Sequence, residues 1–196
     1  MKKLALVFLA GISFATANAQ FQFGIKAGAN FANFNGSAIT DAKTLVSLNA
    51  GVYARLPLAE HVSIQPELVY SGQGAKSDEN GITFTQHSNY FNIPVLLKFS
   101  TGVGFFVETG PQLGFLMSAN TKAEGNSIDT KNSYSSTDFS WVFGVGYKIP
   151  ATKLSIDARY NLGISNIVNQ DVAKETAHNG VFQLGLMYTL FSTGRK

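Results

Sequence analysis

Eight times between Phe21 and Phe191 the chain alternates apolar and polar side chains with a period of two. That period belongs to strands with two unlike faces, and a helix cannot keep it. "FQFGIKAGANF" puts Phe21, Phe23, Ile25, Ala27, Ala29 and Phe31 on one side of a strand. "SLNAGVYARLPL", "HVSIQPELVYSG", "YFNIPVLLKF", "GFFVETGPQLGFLM", "DFSWVFGVGYKI", "LSIDARYNLGI" and "VFQLGLMYTLF" repeat the scheme. Each segment is long enough for a tilted membrane strand, which takes about 9–11 residues. The number of segments is even, as bacterial outer-membrane barrels require.

The connections alternate as well. "PLAEH", "STGVG" and "KIPATK" are short. "NGSAITDAKT", "GQGAKSDENGITFTQHS", "SANTKAEGNSIDTKNSYSST" and "VNQDVAKETAHN" are long and polar. A barrel inserted from one side has this phase, with periplasmic turns and extracellular loops. The loops are expected to be mobile, with a helical turn in "DVAKETAH".

The leader agrees. "MKKLALVFLAGISFATANA" has a basic start, a short apolar stretch and a small-x-small end at Ala17-Asn18-Ala19. Residues 1–19 read as a signal peptide cleaved after Ala19, and residues 20–196 as the barrel domain. Removing Lys2 and Lys3 lowers the net charge from +3 to +1. The case for a nucleic-acid partner goes with them. There is no cysteine, so neither a lipid-anchored N-terminus nor a thiolate metal site is available. No apolar run of transmembrane-helix length follows Gln20, but a closed barrel crosses a membrane without one. No periplasmic domain is expected after the last segment.

Which face is outside follows from charge density. A soluble barrel would carry a densely charged exterior. Here only 14% of residues are charged, against about a quarter in soluble domains. The polar face is mostly Gly, Ser, Asn and Gln, which suits a narrow, filled interior. Aromatic side chains gather toward both ends of the apolar face: Phe23, Phe99, Phe105, Tyr147 and Tyr188 near the turns, Phe31, Phe91, Phe115, Trp141 and Phe182 near the loops. Two membrane–water interfaces call for two such girdles. The predicted fold is an all-β, eight-stranded, antiparallel up-and-down transmembrane β-barrel.

The parity sends eight charges into the lumen: Lys26, Arg55, Glu67, Lys98, Glu108, Lys148, Asp157 and Arg159. An eight-stranded interior is just wide enough for side chains to fill it, so buried charges there must pair. Arg55, Lys98, Glu108, Lys148 and Asp157 fall in the half nearer the turns, and Lys26, Glu67 and Arg159 near mid-strand. The loop half is expected to be neutral, with Asn30, Asn49, Gln112, Ser140, Ser165 and Gln183. A hairpin symmetric about Gly102 would set Lys98 one inward level from Glu108. Tyr53, Leu96 and Phe106 also point inward, so the lumen is expected to be plugged. Pro66, Pro94 and Pro111 lie inside consecutive strands, where a missing ladder donor predicts bulges.

"SIQPELVYSGQGAK", "YFNIPVLLKF", "FFVETGPQLGFL", "LSIDARYNLGISNI" and "FQLGLMY" together resemble the PorT-like outer-membrane β-barrel proteins of Bacteroidetes-type bacteria, over essentially the whole mature chain. The resemblance implies a porin-like outer-membrane barrel and brings no catalytic residues. One member of that family is associated with a protein-secretion and gliding apparatus.

The functional expectation is a structural or interaction barrel that displays its loops. The alternatives are a narrow porin or a transport- or secretion-associated barrel, and a lipid-modifying enzyme. The last would need a nucleophile, a base and an orienting group within reach. His61 falls in a turn, while His87 and His178 fall in loops. Adjacent His87 and Ser88 would point to opposite faces if extended. The G-x-G runs continue as strands, without the helix a dinucleotide site needs. No catalytic residue, cofactor or metal is expected. The expected partners are outer-membrane lipid and lipopolysaccharide, the barrel-insertion machinery, and envelope or secretion-apparatus proteins. The chain is expected to be monomeric.

Overall fold

The computed structural model describes residues 21–36, 43–79, 81–123, 125–169 and 176–193. The expected signal peptide and its cleavage point lie outside them. The described strands are β1 (Gln22–Gly36), β2 (Lys43–Pro57), β3 (Val62–Glu79), β4 (Ile82–Ser100), β5 (Phe105–Ala123), β6 (Asn126–Asp129), β7 (Thr137–Lys148), β8 (Leu154–Gly163) and β9 (Ala177–Ser192). All pairings between them are antiparallel. Sequence neighbours pair around the ring, β5 joins β7, and β9 closes onto β1. Eight strands form the closed wall, while β6 folds back only on the far end of β5.

The wall is apolar outside and polar inside. Phe143 is 52% exposed on the outer face while Lys98 is fully buried. A soluble protein would reverse that order, so the outer face is built for hydrocarbon. Aromatic neighbours mark its two borders. Phe105 and Tyr147 meet at a tilt near the turns, ring centroids 4.8 Å apart. Tyr70 meets Phe91 edge-on at 6.2 Å, and Phe31 lies 6.1 Å from Phe182, near the loops. Trp141 donates its indole N–H to Thr109 Oγ1 at 2.8 Å, which satisfies a polar atom in the lipid-facing wall.

Where β1 meets β9 the register shifts between Phe23 and Gly24, so Phe23 pairs with Phe191 while Gly24 pairs with Thr189. Leu190 is the extra residue. The bulge turns both Leu190 and Phe191 outward, which explains two consecutive exposed apolar side chains at the end of a strictly alternating strand.

The long connections depart from expectation. β3, β4 and β5 run 18, 19 and 19 residues, against 12 and 10 for β7 and β8. "GQGAKSDENGITFTQHS" is largely strand, with its hairpin turning at Gly81. Gly81 has φ +83°, which glycine adopts without steric cost. Alternating Ile82 and Phe84, and a ladder running without slip from Glu79 down to Val69, make regular pairing better than a free loop. Of "DVAKETAH", Ala177 and His178 belong to β9, and residues 171–175 lie outside the described part.

The expected bulges at the prolines are absent. Pro66 pairs with Val95, Pro94 with Gln112 and Pro111 with Trp141, each in unbroken register with the following strand. Each lacks a partner on the preceding strand, yet register there is the same on both sides of the gap. Proline removes one donor, and in a two-sided ladder that costs a bond on one side only. The register shifts lie elsewhere, at Phe23/Gly24, between Thr44 and Asn49, and at Asn89/Tyr90.

Candidate functional site

The lumen is filled in layers. Nearest the turns, Tyr53, Phe106 and Met187 form a buried apolar cluster. Lys98 Nζ sits 3.4 Å above the Phe106 ring, a cation–π contact in a desolvated place. This layer adjoins the charges.

Arg159 is the hub. Its Nη1 and Nη2 each donate to Glu67 at 2.8 Å, a two-toothed bond, and its Nε donates to Glu108 Oε1 at 2.6 Å. Asp157 Oδ2 lies 2.5 Å from the same Nε. β8 and β3 stand four places apart in the ring of eight, so the Arg159–Glu67 pair spans the lumen. Lys26 Nζ reaches Glu67 Oε2 at 3.4 Å and Asp157 Oδ2 at 3.6 Å. Lys98 Nζ reaches Glu108 Oε2 at 3.2 Å. Three acids and three bases are thus mutually paired, all buried. Gln65 extends the network: its amide donates to Glu67 at 2.7 Å, and its oxygen accepts from Lys98 at 3.4 Å and from Arg55 Nε at 3.1 Å.

Two details differ from the sequence reading. Lys98 is directly opposite Glu108, because the hairpin is centred on Val103, one residue later than Gly102. Lys148 has the inward parity but ends exposed at the turn-end mouth, while Arg55 is half-buried there. The eight charges therefore divide into six interior ones and two at the rim.

Glycines make the seats. A Cβ on Gly144 would come 2.9 Å from Glu108 Cγ and 3.0 Å from Arg159 Cγ. One on Gly185 would come 2.0 Å from Asp157 Oδ1. The lumen glycines on β7 and β9 are the volume into which the charged side chains fold.

Above the charges, Asn30 donates to Ser71 Oγ at 2.9 Å and to the Gly72 carbonyl at 2.7 Å, and accepts from Asn49 at 2.6 Å. The loop half is not neutral. Asp138 is buried there, accepting from Ser165 Oγ at 2.8 Å and Asn179 Nδ2 at 2.9 Å. Its shared parity with Ser140 was the available signal. Tyr90, Leu116 and Ala119 form a second apolar layer.

The far end is covered by a lid that sequence reasoning missed. Ile167 is 1% exposed and packs with Phe34, Ala75 and Ala177, with Tyr134 and Val168 against them. Tyr134 bridges to Val168, and Ser135 N–H donates to the Ile167 carbonyl at 2.8 Å. Burial raises the Tyr134 phenol above its ordinary value. The short apolar "IV" within the polar stretch "SNIVNQ" was the only hint of it.

The histidines are scattered. His61 is exposed in its turn, 4.0 Å from Glu60 Oε1. His178 Nδ1 lies 2.8 Å from the Ser165 carbonyl oxygen. Ser88 is buried while the neighbouring His87 is half-exposed. Among the described residues no group of three or more His, Cys, Asp or Glu is placed to hold a metal ion.

Solved structures share this architecture. Neisserial surface protein A superposes with a TM-score of 0.56 at 15% identity, over 86% of this chain and 97% of that one. Ail, the attachment invasion locus protein of Yersinia pestis, gives 0.50 at 13% identity, over 88% and 99%. At such identities the likeness is one of fold. No curated protein matches the sequence. The family described as the outer membrane protein beta-barrel domain matches residues 14–169. With a closed ring, a lipid-suited exterior and that match, the chain belongs to the outer membrane protein beta-barrel domain family.

Proposed function

We propose that this protein is a small barrel with a closed lumen, acting in a structural or interaction role through its long-loop end. One observation carries the reading: Arg159 crosses the lumen to Glu67 on the opposite wall while also holding Glu108. A solute would have to break that network and pass the apolar layers on either side of it. Aqueous porins use about 16–18 strands. On this reading the short turns face the periplasm, the long strands and loops face outward, and the leader is removed after Ala19. The quoted segments support a PorT-like affiliation. Membrane lipid and lipopolysaccharide surround the wall, the insertion machinery assembles it, and envelope or secretion-apparatus proteins are the class of partner for the loops. The protein acts as a monomer, without cofactor or reaction.

Planar-bilayer recording tests the plug. Purified protein is expected to give no steady conductance. Ohmic, anion-selective single-channel steps would establish the alternative, a narrow porin.

A further inference from the structure

We infer that the turn-end mouth of the barrel is a binding site for a small oxyanion, a phosphate or carboxylate group held between Arg55 and Lys148. The first ground is charge accounting. The interior acids Glu67, Glu108 and Asp157 form their ion pairs with Lys26, Lys98 and Arg159. Among the described residues Arg55 and Lys148 have no carboxylate within 4.0 Å. Arg55 Nε is tied to Gln65 at 3.1 Å, which leaves its terminal nitrogens without a protein acceptor among those residues. A half-buried guanidinium with unused donors is poorly solvated and gains from an anion, which it grips in two-toothed fashion.

The second ground is shape. Both cations line a cavity of about 880 Å³ between the three short turns. β2 and β7 stand four places apart in the ring, so Arg55 and Lys148 line the cavity from facing walls. Phe106 lines the cavity and belongs to the apolar layer with Tyr53 and Met187, so the cavity has an apolar floor. Ser63 adds a hydroxyl group. Among the described residues the one carboxylate lining it, Glu60, is 89% exposed in its side chain and lies beside His61. A polar, net-cationic pocket closed at one end binds an anion without passing it on.

The test is calorimetric titration of the refolded full chain in uncharged detergent. Inorganic phosphate, pyrophosphate and citrate are titrated separately at low ionic strength, where screening is weak. Saturable one-site binding is expected with at least one of them, and the order of affinities tells phosphate from carboxylate ligands. Lys148→Gln and Arg55→Gln should each weaken binding about tenfold, the worth of one charge-assisted contact. Lys122→Gln, which removes the same charge at the opposite end, should leave it unchanged. Lys148 is exposed, so its variant folds even where Arg55→Gln does not, and heat-modifiable gel migration reports folding for each. Absence of saturable binding to all three anions, or equal weakening by Lys122→Gln, overturns the site.

Discussion

Replacing Arg159 by methionine is the sharpest perturbation the lumen allows. Methionine keeps much of the chain length and removes the charge and all donors. Glu67 then loses both its 2.8 Å bonds and Glu108 its 2.6 Å bond. Three buried carboxylates remain, with only Lys26 and Lys98 against them. Removing one partner of a buried pair costs roughly 3–5 kcal/mol, because the other charge stays desolvated. Domain stabilities are about 5–15 kcal/mol in total, so the loss is a large share. The assay is denaturant unfolding in phospholipid vesicles, followed by fluorescence of Trp141, the single tryptophan. A double-mutant cycle with Glu67→Gln adds the diagnostic. Once Arg159 is gone, neutralising Glu67 should restore stability, whereas Glu67→Gln alone should destabilise. If Arg159→Met costs under about 1 kcal/mol, or if the two changes are simply additive, the pair is not a desolvated cross-lumen bridge.

Phe143→Arg places a charge on the lipid face and should cost roughly 2–4 kcal/mol, while Ser127→Arg on the exposed β6 should cost little; equal refolding of the two would refute the assignment of faces. Gly185→Ala drives a methyl group to 2.0 Å from Asp157 Oδ1 and should destabilise by about 1–3 kcal/mol in the same unfolding assay, the usual cost of overpacking. A tag inserted at Gly125, in the β5–β6 turn, should be reached by antibody on intact cells; labelling only after the outer membrane is broken would invert the topology.

Alternation made the wall legible because period two leaves little freedom. A strand whose apolar set is Phe139, Trp141, Phe143 and Val145 has one way to meet lipid. The ring, its antiparallel order and its inside-out character follow from such sets. The interior charges followed from the same parity, but their partners did not. Whether Lys98 faces Glu108 or misses it by a level depends on one residue of turn centring, and "STGVG" does not declare its centre. Lys148 had the right parity and the right half of the barrel, but it ends exposed at the rim. Parity says which way a side chain starts, and a long side chain one residue from a turn ends in solvent. The upper hairpins and the lid were misread for a third reason. Polar composition signals exposure, not irregularity, so "GQGAKSDENGITFTQHS" reads as loop although its backbone is paired nearly throughout. The lid rests on contacts between segments distant in sequence, Phe34 with Ile167 and Tyr134, which no local pattern encodes.

The charges inside the barrel also fix its register. A one-residue slip turns every side chain of a strand to the other face. If the lumen were filled only with apolar groups, a slipped strand would still present hydrocarbon to lipid, and little would oppose it. Lys26 on β1, Glu67 on β3, Lys98 on β4, Glu108 on β5, and Asp157 and Arg159 on β8 change that. Sending a single lysine or arginine to the bilayer midplane costs roughly 2–4 kcal/mol, with acids costing less. The slipped side chain would also desert its partner, adding the penalty of an unpaired buried charge. β9 carries no charge on its inward face, where Gln183, Gly185 and Met187 stand. Its alternation breaks at the turn end, with Leu190 and Phe191 both turned outward by the bulge against β1. Such a break costs nothing electrostatically on β9, whereas the one on β5, from inward Leu116 to inward Ala119, lies on the loop side of Glu108 and leaves that charge in place.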